Sequence, residues 1–270
     1  MRISCEWQPG GALSFRNRSS KIWGEYGRNM QNISPEEKKF FLADEGKVIL
    51  QRDIAGAEAV IVGYLCRPGP YRDLAKFGVK HHSYIAGHIF KEYWKKTTPY
   101  DVDHLLKLSV KELSEHPHYK PLWKIIKSTD DLKGKERRYY LGKKVGLSFN
   151  YSQGADSFRY VVLKETEGQI VLSKLEAEMF KRMYETIFPE IPEWQKRVEE
   201  EVNKYKLIRN LFDFPFRITS HIDAGLIRKA IAWKAQSTIG VLAAKAMVKM
   251  QLWSEDHPLT GCDILGNVHD

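Results

Sequence analysis

Along most of the chain apolar residues recur at helical spacing, and only a few short stretches break that rhythm. "GKVILQRD" (46–53) is a run of aliphatic and β-branched residues, which predicts a short buried strand ending at Asp53. "AGAEAVIVGYLC" follows with helical composition, so Asp53 falls at a strand-to-helix junction. The pattern predicts helices over 80–96, where "KHHSYIAGHIFKEYWKK" has an apolar face, and over 137–151, which is basic and aromatic. Two more are expected at 172–188 and 193–207, separated by "PEIP" with Pro189 and Pro192 as breakers. "FDFPFRIT" reads as extended, 224–250 as one long helix, and 263–268 as a second short strand. The first 45 residues, rich in Gly, Ser, Arg and Asn, read as loop or extended structure. Pro117, Pro121 and the Lys/Asp/Gly-rich stretch 127–136 mark an inserted or mobile region between helices.

Composition narrows the class. The 270 residues, 43% hydrophobic and 29% charged, suit a soluble globular protein of one large domain or two modest ones. No apolar run approaches the ~18 residues of a membrane span, and the first residues are broken by Glu6, Pro9 and glycines where a signal peptide needs an apolar core. The expected location is the cytoplasm, or the host cytoplasm if the gene is phage-borne, with no membrane partner. Cys5, Cys66 and Cys262 are odd in number and far apart, fitting free thiols rather than a disulfide framework or a zinc site. The net charge of +9 favours a polyanionic partner. Lysines cluster among aromatics in "KEYWKK", "LWKIIK" and "LKGKERRYYLGKK"; each cluster by itself also fits a solvated helix face.

Two short strands, each finishing on or just before an aspartate and separated by more than 200 mostly helical residues, form the central constellation. Side by side they would bring Asp53 and Asp270 to one end of a small sheet. Paired carboxylates suit Mg²⁺, which prefers hard oxygen ligands, and two such ions can serve an in-line phosphoryl displacement. The competing reading is that each aspartate caps a turn or a helix. Lys143, Leu147 and Tyr151 stand at i, i+4, i+8, which puts them on one helix face. A lysine there can neutralise a triphosphate and an aromatic can stack on a base pair.

Seven stretches, in order, resemble family A DNA polymerases, the DNA polymerase I type. "GRNMQNIS" (27–34) is similar to the segment preceding the palm, and "RDIAGAEAV" (52–60) to the first catalytic motif, with Asp53 and Glu58 at the matching spacing. "HHSYIAGHIF" (81–90) resembles the H-x-x-x-A-x-x-x-F helix, with His82 in the histidine position. "LGKKVGLSFNYSQG" (141–154) resembles the fingers motif, and "FKRMYETIFPEIPEW" (180–194) the F-x-x-x-Y-P-x-I segment. "RKAIAWKAQSTIGVLAAKAM" (228–247) matches R-x-x-x-N-x-x-x-Q-G-T-A in its arginine, glutamine and threonine, and "VHD" the last catalytic motif. The resemblance runs from about residue 15 to the last residue and points to a phage-like or divergent relative.

It implies an α+β fold: an incomplete antiparallel palm sheet with mostly helical fingers of a right-hand polymerase. The palm would comprise 1–66 and 206–270 and the fingers 67–205, with an insertion at 91–136. It further implies template-directed DNA synthesis by a nucleotidyltransferase, moving a deoxynucleotidyl group from dNTP to a primer 3′-hydroxyl with two Mg²⁺ ions. Asp53 and Asp270 would be the metal carboxylates, with the Ile54 carbonyl as a further ligand. Lys143 would be the catalytic lysine, with Lys144 sharing its role. Glu58 would be a steric gate against a ribose 2′-hydroxyl, and His82, Arg138, Leu147 and Tyr151 would line the nucleotide. Arg228 and Gln236 would sense the minor groove of primer-template DNA, His269 the primer terminus, and Arg18 or Arg16 would replace a primer-contacting arginine.

Departures stand beside these matches. Leu147 replaces an aromatic, Ser152 a glycine and Ala232 an asparagine, while the family arginine falls on Tyr139, with Arg138 one residue out of register and Arg137 two. The last motif ends at Asp270 where the family continues with a glutamate. The resemblance thus implies a fragment that needs a second polypeptide or a C-terminal segment to complete the palm, and weak or no polymerisation without it. The alternative is a non-catalytic nucleic-acid-binding remnant or assembly subunit; a separate two-metal nuclease would leave the gate and the fingers helix without a task.

Overall fold

The computed structural model describes residues 6–8, 12–16, 18–20, 33–51, 54 and 56–257. The chain divides into two compact units. Unit 1 takes residues 1–58, 209–214 and 233–270, and unit 2 takes 59–208 and 215–232.

In unit 1, strands β1 (Glu6–Gln8) and β2 (Arg18–Ser20) pair antiparallel, with Trp7 opposite Ser19. Helix α1 (Pro35–Lys38) begins with a capping box. Ser34 accepts from the Glu37 N–H and Glu37 accepts from the Ser34 N–H. Residues 47–51 form no ladder among the described residues, contrary to the buried strand expected there, and Val48 and Leu50 are 78% and 73% exposed. Apolar composition favours burial but does not provide the neighbouring backbone that a strand needs. Residues 233–256 of helix α13 (Ala224–Asp256) carry the packing of this unit. The Trp233 Nε1–H donates to the Leu13 carbonyl at 2.9 Å, and Phe15 packs against the rings of Phe214 and Trp233. Asn210 fastens the 210–214 turn: its Oδ1 accepts from the Phe212 and Phe214 N–H groups, and its Nδ2 donates to Ser237 Oγ. The strand expected at 263–268 lies outside the described residues.

Unit 2 is helical. In order it contains α2 (Ala57–Leu65, its first two residues in unit 1), α3 (Pro70–Lys76), α4 (His81–Ile89), α5 (Lys91–Thr97), α6 (Val102–Leu105), α7 (Val110–Glu115) and α8 (Tyr119–Ser128). Then come α9 (Arg138–Asn150), α10 (Ala155–Glu165), α11 (Lys174–Ile187), α12 (Glu190–Tyr205) and a hairpin of β3 (Leu207–Arg209, its last residue in unit 1) with β4 (Pro215–Arg217). The single helix expected over 80–96 is two, meeting at Phe90. The 91–136 stretch is itself helical (α5 to α8, then two 3₁₀ turns) and anchors to α4, where Trp94 Nε1 donates to the Ala86 carbonyl at 2.9 Å. Pro192 does not separate helices: α12 starts at Glu190, so Pro192 sits in the first turn, where a missing N–H costs nothing.

A buried carboxylate organises the start of α3. Gly69 at its N-cap has no side chain to offer, and Glu190, 1% exposed, accepts from the Tyr71 N–H at 2.6 Å instead. A Cβ on residue 69 would lie 2.7 Å from that carboxylate, so glycine is what admits it. Glu190 opens α12 as well, and its charge is balanced by two helix N-termini. Beside it, burial and then the Glu190 charge push the Cys66 thiol up to about 12, which makes it an inert core thiol.

Helices α4 and α9 form the central pair. Gly142 and Gly146, four residues apart on α9, face α4 at a distance that excludes side chains. A Cβ on Gly142 would lie 2.7 Å from Ala86 Cβ and 2.8 Å from the His82 carbonyl, and one on Gly146 would lie 2.9 Å from Ile85 Cδ1. Because the Gly142 obstacle is largely backbone, Gly142→Ala must force the helices apart. It is expected to destabilise the chain by about 1–3 kcal/mol, the usual range for overpacking. Gly146→Ala, which meets only a side-chain tip, should cost less; urea unfolding midpoints of the two variants check this order.

Candidate nucleic-acid and nucleotide site

Helix α9 ends through a closed turn. The Gln153 N–H donates to the Ser148 carbonyl at 3.2 Å and Ser152 takes φ +56°, the left-handed conformation that glycine adopts most easily. The serine at this position therefore occupies a backbone shape that explains a glycine preference without requiring it. Tyr151, the C-cap residue, points with Lys144, Leu147 and Ser148 into an open cleft of about 420 Å³, closed on other sides by Gln153, Glu165, Arg228, Lys229 and Ala232. All of these residues belong to unit 2.

The cleft thus joins Lys144, Leu147, Tyr151 and Arg228 from the expected set; Lys143 is exposed and does not line it. Helix geometry explains the exchange of lysines. At about 100° per residue, seven residues bring Lys144 to within about 20° of Tyr151, whereas eight leave Lys143 about 80° away. Lys144 is ion-paired to Glu165, which also accepts from the Tyr140 hydroxyl. Arg228 and Lys229 are exposed and in no ion pair among the described residues. Lys143 lies instead on the side of α9 nearer His82, whose imidazole feels its charge and faces the Tyr139 ring at 6.1 Å.

The two candidate arginines are committed elsewhere. Arg138 stacks on Tyr93, its guanidinium 3.4 Å from the ring centroid, and Arg137 donates to the Asp130 carbonyl while lying over Tyr140. In unit 1, Gln236 Nε2 is 3.4 Å from Glu58 Oε1, a long hydrogen bond that brings those two expected residues together. Ile54 is half-exposed, and its carbonyl accepts from the Ala57 N–H at 3.2 Å. Arg16 is partly buried, and the Arg18 backbone pairs with Gln8. Asp53, His269 and Asp270 lie outside the described residues, as does the Arg18 side chain. Among the described residues no group of three or more His, Cys, Asp or Glu is placed to hold a metal ion, and no helix is long and apolar enough to cross a membrane.

Sequence reasoning missed the Gly142/Gly146 crossing and the role of Asn150, the last residue of α9. A G-x-x-x-G spacing was present for the first; nothing in a stretch reading "SFNYS" singles out the second.

No family model matches the chain, and no curated protein does. Among solved structures it is similar to the POL domain of Pol1 from M. smegmatis, in complex with DNA primer-template and dNTP, with a TM-score of 0.66 at 17% identity. That likeness covers 100% of this chain and 41% of the other, so the chain spans less than half the length of that polymerase. The fold is α+β and polymerase-like.

Three histidines on α4 carry a pH signature. Burial lowers His81, His82 and His88 to about 4, with the Tyr71 carbonyl opposing the shift at His81 and the Lys143 and Lys91 charges adding to it at His82 and His88. Folding favours the neutral imidazole, so the unfolded chain takes up protons first. The stability is complete above about pH 6.5, the unfolded value, and is lost as pH falls toward 4. The urea midpoint should drop between pH 7.5 and pH 5, and a triple His→Gln variant should show a flatter profile. A native midpoint unchanged across that window would contradict the assignment.

Proposed function

We propose that the chain is the nucleotide-selecting portion of a DNA-directed DNA polymerase, a family A relative, with unit 1 as palm and unit 2 as fingers. The observation that supports this most is the likeness of the entire chain to a domain solved with primer-template and dNTP. The cleft beside Tyr151 fits it, with two cations that are in no ion pair among the described residues and an aromatic that can stack on a base. A +9 chain also favours association with a polyanion.

In this reading Lys143, exposed and unpaired among the described residues, neutralises the incoming triphosphate. His82 beside it is neutral in the free chain and can donate a hydrogen bond to a phosphate oxygen or take up a proton when one arrives. Lys144 and Tyr151 line the nucleotide side of the cleft, and Arg228 faces the DNA. Glu58, turned toward Gln236, fills the space a ribose 2′-hydroxyl would need, and Gln236 senses the acceptors that every correct pair presents in the minor groove. Asp53, Asp270 and the Ile54 carbonyl would supply oxygen donors of the kind Mg²⁺ prefers. Bound there, two ions would lower the pKa of the primer hydroxyl and offset charge on the pyrophosphate. Because the chain spans 41% of the similar polymerase, full activity would draw on further polypeptide.

A second reading, a non-catalytic remnant, has one observation in its favour: Leu147 and Ala232 both line the cleft where the family carries an aromatic and an asparagine. Asp53→Asn separates the two. It abolishes primer extension by the assembled polymerase if the site is catalytic and leaves it unchanged if it is not.

Binding can be tested on the chain itself by fluorescence anisotropy with a labelled primer-template. Affinity should fall about tenfold or more between 50 and 200 mM salt, the loss expected for two or more neutralised phosphates. The dNTP matching the template base, with Mg²⁺, should tighten the complex more than the three others do, and Lys143→Ala should remove that gain while DNA binding persists. A complex indifferent to dNTP identity would overturn the proposal.

A further inference from the structure

The last turn of α9 is held by side chains from three other helices. Asn150, 2% exposed, donates from Nδ2 to the Tyr71 hydroxyl at 2.7 Å and accepts at Oδ1 from the Tyr184 hydroxyl at 2.5 Å. The carbonyls of Phe149 and Asn150, which a helix end would leave to water, accept from Gln195 Nε2 at 2.6 and 3.0 Å. Both phenols are themselves fixed. Tyr71 is on α3, its N–H bound to Glu190, and Tyr184 on α11 is fully buried; Phe188 meets each ring at 5.0 and 5.2 Å. The next residue in the chain is Tyr151, in the cleft wall.

We infer that Asn150 is a positioning residue, which sets the direction of Tyr151 and thereby its discrimination between matched and mismatched nucleotides. This rests on the polymerase reading of the cleft. The chemistry requires a carboxamide: one end must donate to a phenol oxygen and the other accept from a second phenol. Aspartate supplies no donor, and leucine would take the Asn150 bond from both buried hydroxyls, leaving the two phenols to each other. With α3, α11 and α12 all engaged, the C-terminal end of α9 is anchored beside Tyr151, and Lys143 and Arg138 stand further along the helix.

The test combines a structural and a functional measurement on one set of variants. Tyr71→Phe/Asn150→Leu/Tyr184→Phe removes the network without orphaning a polar group; Tyr184→Phe alone deletes one hydroxyl and serves if the triple variant does not fold. With 3-fluorotyrosine placed at 151, the native chain is expected to give one sharp ¹⁹F resonance, and the variants a broadened or split one while unfolding remains cooperative. In parallel, the preference of the DNA complex for matched over mismatched dNTP should fall at least tenfold in the triple variant and less in Tyr184→Phe, with DNA affinity held within about twofold. A folded variant that keeps the single resonance overturns the inference, and so does an altered resonance with unchanged nucleotide preference. If the native chain shows no nucleotide preference at all, the polymerase reading fails, and the fluorine spectrum alone decides whether Asn150 fixes Tyr151.

Discussion

Two absent Cβ atoms govern unit 2. With Gly142 and Gly146 on the contact face, α9 approaches the backbone of α4 near His82 and Ala86 more closely than any other residue would permit. That approach brings His82 within reach of the Lys143 charge and turns the opposite side of α9, with Lys144, Leu147 and Tyr151, toward the cleft. One packing constraint therefore sorts the residues of a single helix into two chemical faces. An overpacking cost of about 1–3 kcal/mol is a large share of a typical stability of about 5–15 kcal/mol. The site geometry and the fold thus depend on the same contact.

Buried polar groups complete what packing begins. Glu190 supplies the cap that Gly69 lacks, and Asn150 ties the end of α9 to two phenols whose rings pack on Phe188. Such groups are costly when half satisfied, about 1–3 kcal/mol for each orphan. A fully bonded set therefore admits one arrangement and disfavours its neighbours. The exposed ion pairs, such as Arg67 with Glu193 or Lys135 with Glu176, contribute little by comparison.

Much of the helical plan could be read from periodicity, because amphipathic spacing and capping signals are local properties. The periodicity places α9 and α11 within two residues at each end and stops α13 six residues short of Asp256, and the polymerase resemblance agrees with the fold. What escaped was non-local. "VILQ" looked like a buried strand, yet residues 47–51 join no ladder among the described residues. Pro192 looked like a breaker, yet it sits in a first turn. The face shared by Lys143, Leu147 and Tyr151 was drawn from spacing alone, and the 3.6-residue period passes that role in the cleft to Lys144. Asn150 could not be found from the sequence because its partners lie 79 and 34 residues away. The roles of Asp53, Asp270 and His269 rest on the family resemblance, since those residues lie outside the described part of the chain.

If α9 presents the nucleotide-binding face, photo-crosslinking will reveal it. A primer-template complex of the chain would be irradiated with an azido-substituted dNTP and the labelled peptides identified by mass spectrometry. Adducts are expected within residues 138–151, dependent on a complementary template base and competed by unmodified dNTP. Labelling spread over other segments, or independent of the template base, would contradict it.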